Sequence, residues 1–333
     1  MQLKALGHSG LRVPAVGLGC MNFGMVCDQA ATQAIVDAAL DSGISFFDVA
    51  DMYGGPLGEA ETLLGRALGA RRREVILATK FGGQRGSREP GLRGGGSPAY
   101  IARAVEDSLR RLGTDYIDLY QHHFPDAGTP VEDTLRALDD LVTQGKVRHL
   151  GCSNYDAGQL KAASIAARSG RTHSFVSAQN RYSLLYRDIE RELVPIAQAQ
   201  QVGILPYFPL ESGLLTGKYR QGATPPADSR FARWRGGGAF VSPGRWAMVA
   251  QLEEYGGRIG RSLLDIAIGW LAAQPWVSSV IAGATSPGQV RANVQAASWE
   301  PTTEDLARIA AITAAAPAAS APPAPPAPPA PEG

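Results

Sequence analysis

Ser45-Phe46-Phe47-Asp48-Val49-Ala50-Asp51-Met52-Tyr53-Gly54-Gly55 carries an apolar run into a carboxylate and, five residues on, a phenol. Phe46 and Phe47 read as the end of a buried strand, and Gly54, Gly55 and Pro56 break the chain before helical periodicity resumes. Asp48 and Tyr53 therefore fall where a strand emerges into a loop. The same strand, loop and helix unit recurs on both sides. Candidate strands begin near Val16, Ser45, Val75, Tyr116, Val147, Phe175, Gly203 and Val277, with helical periodicity over Gln29 to Asp41, Tyr100 to Leu112, Val131 to Gln144 and Asp188 to Gln200. Eight such cycles predict a closed parallel (β/α)8 TIM barrel. The rival, an open doubly wound sheet, needs a glycine-rich dinucleotide fingerprint. Here Gly17-Leu18-Gly19 runs into Cys20-Met21-Asn22 and the fingerprint is not completed.

Three segments lie outside the cycle. Leu3-Lys4-Ala5-Leu6 and Leu11-Arg12-Val13 flank the turn residues Gly7-His8-Ser9-Gly10, which predicts an N-terminal β-hairpin. Leu210 to Arg245 is rich in Gly, Arg and Pro and too long for an ordinary connection, so it is expected to be a functional flap. Residues 317–333, almost all Pro and Ala, have little to bury and are expected to form a disordered, extended tail. The expected organisation is one barrel domain over residues 1–316 followed by that tail.

Lys and Arg number 32 against 31 Asp and Glu, a net charge of +1, which argues against an electrostatically driven nucleic-acid or membrane partner. Cys20, Cys27 and Cys152 are odd in number and lack C-x-x-C spacing, so neither a disulfide framework nor a zinc site is expected. With no apolar run of signal-peptide or membrane-spanning length, the chain is expected to be cytoplasmic.

In a barrel, the C-terminal ends of all strands converge on one face. Asp48 follows the second strand, Lys80 ends Val75-Ile76-Leu77-Ala78-Thr79-Lys80, and His122-His123 end the run that starts at Tyr116, so three consecutive strands deliver carboxylate, amine and imidazole to one rim. A phenol has an ordinary pKa of about 10 and needs a nearby cation to serve as a general acid near neutrality. Lys80 is placed to lower the Tyr53 pKa, and Asp48 to orient Lys80. A drop of about 2 units, worth on the order of 3 kcal/mol, is the expectation.

The sequence resembles the aldo-keto reductase family from Val13 to about Ala297, most closely its bacterial branch that is similar to potassium-channel β subunits. The blocks that carry the resemblance are Phe46-Phe47-Asp48 with Tyr53-Gly54, Ala78-Thr79-Lys80-Phe81-Gly82, Asp118-Leu119-Tyr120-Gln121-His122-His123, Gly151-Cys152-Ser153-Asn154, Gln179-Asn180-Arg181-Tyr182-Ser183-Leu184 and Gly213-Leu214-Leu215-Thr216-Gly217-Lys218-Tyr219. The resemblance implies a nicotinamide-dependent oxidoreductase that reduces a small-molecule aldehyde or ketone, with Asp48, Tyr53, Lys80 and His123 as its catalytic tetrad. His123 is preferred to His122 because the family's histidine lies three residues beyond the position of Tyr120, and adjacent strand residues point in opposite directions.

The resemblance also implies a seat for NADP(H), with NAD(H) possible, and no metal. Its residues would be Gly19, Cys20, Met21, Asp48, Ser153, Asn154, Gln179, Tyr207, Phe208, Pro209, Leu210, Gly213, Lys218, Arg230, Gly283, Thr285, Gln289 and Asn293. Among them, Ser153, Asn154 and Gln179 match the groups that hold the carboxamide, Tyr207 the ring that stacks on nicotinamide, and Lys218 the pyrophosphate lysine. Phe208 departs from the family's more usual serine. The family's basic residues are missing from Gly283-Ala284-Thr285-Ser286 and from Gln289, which leaves the 2′-phosphate to the hydroxyls of Thr285 and Ser286, the helix N-terminus and a basic residue of the flap, for which similarity makes Arg230 the candidate. Three rival readings stand beside this one: a cofactor-loaded regulatory subunit like the channel β subunits, a sugar-modifying dehydrogenase or reductase running in either direction, and a barrel aldolase or lyase that uses Lys80 as a Schiff base.

Overall fold

The computed structural model describes residues 1–83, 95–233 and 241–314. The predicted tail lies outside the described residues, as do parts of the Leu210 to Arg245 segment and of the loop after Gly83.

The predicted hairpin is present: β1 (Leu3–Ala5) pairs antiparallel with β2 (Arg12–Pro14). Its turn presses on the barrel, since a Cβ on Gly7, which has φ +55°, would lie 2.1 Å from the carbonyl oxygen of Val176. Leu6 and Val13 pack with Phe46, Ala78, Leu119, Val176, Leu205 and Ile281 in one buried cluster, so the hairpin seals the end of the barrel where the strands begin.

The barrel strands are β3 (Val16–Gly19), β4 (Phe46–Asp48), β5 (Ile76–Phe81), β6 (Ile117–His122), β7 (Val147–Ser153), β8 (Phe175–Arg181), β9 (Gly203–Tyr207) and β10 (Val280–Gly283). They form one parallel sheet in the order β10-β3-β4-β5-β6-β7-β8-β9. A bridge between Ile204 and Val277 joins its two edges, with Ile204 N–H donating to Trp276 O and Ser278 N–H to Ile204 O, both at 2.9 Å. Val277, the expected start of the last strand, thus belongs to the closure, and the ladder with β3 begins at Val280. Between them the hydroxyls of Ser278 and Ser279 donate to Ala5 O and Pro14 O of the hairpin.

Of the expected helices, α1 (Gln29–Asp41) has the predicted bounds, with the Asp28 carboxylate accepting from Ala31 N–H at its start. Helix α2 (Glu59–Leu68) follows the Tyr53 loop. Helix α3 (Pro98–Leu112) starts two residues before the expected Tyr100, with Pro98 in its first turn, where a missing N–H costs nothing. Helix α4 (Val131–Thr143) follows expectation. The segment expected as one helix from Asp188 to Gln200 is instead a short 3-10 turn (Asp188–Glu190) and α6 (Leu193–Ala199), preceded in the chain by α5 (Ala157–Gly170). Pro195 explains the break: proline is accepted in a first turn and not further in, so the helix can begin only just before it.

The remaining elements are α7 (Arg230–Arg233), α8 (Pro243–Ile259), α9 (Leu263–Ala273), α10 (Pro287–Ala296) and α11 (Thr303–Thr313). Among the described residues no helix is long and apolar enough to cross a membrane.

Candidate active site

The inward cluster fixes the parity of each strand. Phe46, Ala78 and Leu119 face the barrel interior. Alternation then turns Asp48, Lys80, Gln121 and the following His123 inward, and Tyr120 and His122 outward. The outward His122 is stacked on Phe81, with ring centroids 4.9 Å apart, and its Nδ1 is 2.8 Å from the Tyr155 hydroxyl. His122 is therefore a packing residue of the outer layer, and His123 is the imidazole on the site.

Asp48, Lys80 and His123 are 2%, 0% and 7% exposed, so these charges sit in protein and not in water. Lys80 Nζ donates to Asp48 Oδ1 at 2.5 Å, to Val49 O at 3.0 Å and to Tyr53 OH at 3.5 Å. An ammonium has three donors, and all three are used. The second Asp48 oxygen, Oδ2, accepts from Gln121 Nε2 and Gln179 Nε2, each at 2.9 Å. The His123 ring meets Tyr53 edge-on at 5.8 Å and is stacked on Phe124 at 4.7 Å.

Burial works against the Lys80 charge, but Asp48 and Tyr53 outweigh it and hold the lysine above its ordinary value. His123 is pushed well below the usual imidazole range by burial, by Lys80 and by His122, which makes it a neutral hydrogen-bonding group. For Tyr53 the expected direction is overturned. Burial raises the phenol pKa by more than Lys80 lowers it, with Asp48 and Asp51 adding to the rise. Lys80 limits the penalty of burial and does not bring the phenol below 10. Asp51, two residues before Tyr53, is also perturbed: burial and the nearby Glu61 raise its carboxyl to about 7, against a hydrogen bond from Tyr100.

The expected cofactor residues gather on the same rim. Ser153 and Gln179 are directly paired between β7 and β8. Gln179 spends both amide hydrogens on Asp48 Oδ2 and Gln121 Oε1, and among the described residues nothing donates to its Oε1. The Ser153 oxygen accepts from Asn154 Nδ2, and its hydroxyl proton has no acceptor among the described residues. One acceptor and one donor on neighbouring strands complement a primary carboxamide, so these residues fit the nicotinamide group that the sequence implies.

Asn154 itself, at φ +61°, is largely committed: its Nδ2 donates to His123 O and Ser153 Oγ, and its Oδ1 accepts from Tyr207 OH. After β9 the backbone turns through positive φ at Phe208, Glu211, Ser212 and Gly213. Pro209 and Leu210 lie inside this turn, where Leu210 O accepts from Gly213 and Leu215 N–H. A Cβ on Gly213 would stand 2.8 Å from Lys218 Cε, so the glycine lets that lysine fold over the turn. The sequence reading missed two supports of this region: Gln121, and the ion pair of Arg181 with Glu211, whose Oε1 also accepts from Ser183.

Across the rim, Gly19 pairs with Gly283, and Cys20 N–H donates to Asp48 O at 2.8 Å. Met21 beside it is partly exposed. The Cys20 thiol is pushed well up by burial and by Asp48, which makes it a packing group and not a nucleophile. Arg230 reaches over from the flap: its Nη2 donates to Asn22 Oδ1 at 3.4 Å, and Asn22 Nδ2 donates to Ala284 O. Burial lowers the Arg230 pKa, and neither Arg230 nor Lys218 has a carboxylate partner among the described residues. Ser286 caps α10, while Gln289 Oε1 accepts from the N–H and hydroxyl of Thr285 and Asn293 donates to Gly283 O. Arg230, bridged through Asn22 to the loop before α10, and Lys218, folded over the turn after β9, are two cations without carboxylate partners among the described residues, and such cations suit the phosphates of a dinucleotide.

A closed (β/α)8 barrel with a buried carboxylate, ammonium and imidazole and a half-buried phenol at its C-terminal rim defines a class of NAD(P)H-dependent oxidoreductases that bind the dinucleotide without a doubly wound domain. The sequence profile of the Aldo/keto reductase family matches residues 15–314, and the chain belongs to that family. It is 38% identical to a probable voltage-gated potassium channel subunit beta of Oryza sativa subsp. japonica, over 89% of this chain and 91% of that protein. It is 35% identical to the L-glyceraldehyde 3-phosphate reductase of Escherichia coli (strain K12), over 93% and 91%, and 35% identical to an oxidoreductase of Bacillus subtilis (strain 168), over 89% and 91%.

Proposed function

We propose that the chain is an NADPH-dependent reductase of small aldehydes or ketones, with Tyr53 as the proton donor. The observation that carries this reading is the three-way commitment of Lys80 Nζ to Asp48, Val49 O and Tyr53 OH inside a buried site. Bound nicotinamide supplies the hydride. A carbonyl that accepts it develops negative charge on oxygen, and that oxygen needs a proton at once. Tyr53 gives its hydroxyl proton, and Lys80, 3.5 Å away, stabilises the phenolate that forms. This stabilisation grows as the phenolate develops, so it favours the transition state over the ground state. Neutral His123 would donate a hydrogen bond to the substrate oxygen, and Ser153 with Gln179 would orient the carboxamide. Arg230 and Lys218 would hold the phosphates.

Tyr53→Phe tests the assignment: carbonyl reduction should be abolished while NADPH affinity stays within about threefold, since the hydroxyl adds no cofactor contact in this reading. Retention of most of the turnover would end it. A second reading, a cofactor-loaded regulatory subunit, has the likeness to the rice channel subunit in its favour. It predicts tight NADPH binding with very slow turnover across a panel of aldehydes, ketones and sugars.

A further inference from the structure

Gln121 lies at the centre of the site, fully buried, in a position where most barrel interiors carry an apolar side chain. Its Nε2 donates to Asp48 Oδ2 at 2.9 Å, and its Oε1 accepts from Gln179 Nε2 at 3.3 Å. Gln179 Nε2 also donates to Asp48 Oδ2. The three side chains close a triangle. Inverting the Gln179 amide would set its oxygen against a carboxylate oxygen and a carbonyl oxygen, so the triangle admits one orientation only, with Oε1 left over. The fold makes room for it: Gly151 is the ladder partner of Gln121, and a Cβ there would stand 2.9 Å from Gln121 Cγ and 2.6 Å from Ser177 Oγ.

We propose that Gln121 is a positioning residue that couples the nicotinamide seat to the proton donor. It turns the Gln179 carbonyl toward the carboxamide N–H and supplies one of the two amide donors that hold Asp48 Oδ2. This rests on the reading of the chain as a nicotinamide-dependent reductase. Without the Gln121 amide, Gln179 can rotate and loses its outward acceptor. Asp48, short of one donor, draws harder on Lys80 and so weakens the support that Lys80 gives to Tyr53.

The test compares Gln121→Leu with wild type for binding of NADP+ and of 3-acetylpyridine adenine dinucleotide phosphate, in which a methyl ketone replaces the carboxamide. Both are followed by quenching of tryptophan fluorescence. The analogue keeps the carbonyl and the phosphates but has no amide N–H. NADP+ should bind about tenfold more weakly to Gln121→Leu, the size of one lost hydrogen bond, while the analogue changes by less than about twofold. The alkaline limb of kcat/KM for carbonyl reduction should also move up by about half a pH unit, because the phenol is less well supported. A residue that only fills space would weaken both dinucleotides alike, and equal losses, or none, overturn the proposal. Should Gln121→Leu fail to fold, Gln121→Asn, whose shorter amide cannot reach both partners, carries the same expectation. If wild type binds neither dinucleotide, the nicotinamide reading itself fails and this proposal falls with it.

Discussion

Lys80 Nζ stands 3.5 Å from the Tyr53 hydroxyl, yet the phenol is held above its ordinary pKa, because burial outweighs the single cation. The lysine's part is therefore to limit the rise. Replacing Lys80 with Met leaves the phenol buried and unsupported next to Asp48, so turnover in carbonyl reduction should fall by at least about 100-fold, the usual worth of a positioned acid. NADPH affinity should change little, since every Lys80 donor already goes to protein atoms. Steady-state kinetics with a fluorescence binding titration checks both; an unchanged kcat would separate Lys80 from the proton transfer.

Two perturbed groups, the buried His122 and the half-buried Asp51, give stability opposite pH dependences. His122 is lowered to about 4 by burial, so the folded chain resists its protonation more than the unfolded chain, where imidazole titrates near 6.5. Its contribution is present above about pH 6.5 and is lost as pH falls toward 4, and in full is worth about 3 kcal/mol. His122→Phe keeps the stack on Phe81 and removes the titration. The fall in Tm of the wild type between pH 6.5 and 4 should be visibly reduced in the variant, and identical acid limbs would show that His122 is not the group responsible.

Asp51 runs the other way. Its carboxyl is raised to about 7 from 3.8, so the folded chain binds this proton more tightly; that stability is present at low pH and is lost as pH rises from about 4 through 7. Asp51 Oδ1 is buried without a partner, while Tyr100 donates to Oδ2 at 3.1 Å. Asp51→Asn keeps an acceptor for Tyr100 and removes the charge. It should stabilise the protein at pH 8 by about 1–2 kcal/mol, after allowance for the partial exposure of the residue, and should have little effect at pH 4. Equal effects at both pH values would count against titration of Asp51 as the cause.

The barrel was legible because each strand ends against turn residues and each helix keeps its period, so seven of the strand starts fall within a residue or so of expectation. The last strand starts later than Val277 because that residue closes the sheet against Ile204, and Ser278 and Ser279 bond to hairpin residues more than 260 positions away, which local pattern cannot see. Pro195 carried the signal for a split helix and was outweighed by periodicity. The strand-end placement of Asp48, Lys80 and His123 is readable from pattern, and family likeness adds Tyr53 to make the candidate tetrad. The direction of the Tyr53 shift is not readable, because it is the difference between two large effects that depend on how much protein surrounds the hydroxyl. Gln121 lies inside a block that matches the family, where likeness alone gives it no role. The available clue was parity: a glutamine two residues before His123 shares its inward face.

Arg230 links the flap to the opposite side of the rim through Asn22, and no carboxylate among the described residues claims its charge. Its guanidinium also lies 5.8 Å from the Phe208 ring centroid, so the arginine stands over the turn that follows β9. The bond to Asn22, at 3.4 Å, is long for a guanidinium and is readily exchanged for a phosphate oxygen. Thr285 and Gln289 are occupied with each other and offer no positive charge. Arg230 would then supply the main charged contact that separates NADPH from NADH. Losing one charge-assisted hydrogen bond costs about 1.5–3 kcal/mol, roughly ten- to a hundredfold in affinity. Arg230→Ala should weaken NADPH by that factor and leave NADH nearly unchanged, and the NADPH affinity of the wild type should fall with added salt more steeply than that of the variant. Equal losses for the two cofactors would place Arg230 on the shared pyrophosphate, and no loss for either would place the 2′-phosphate against other residues.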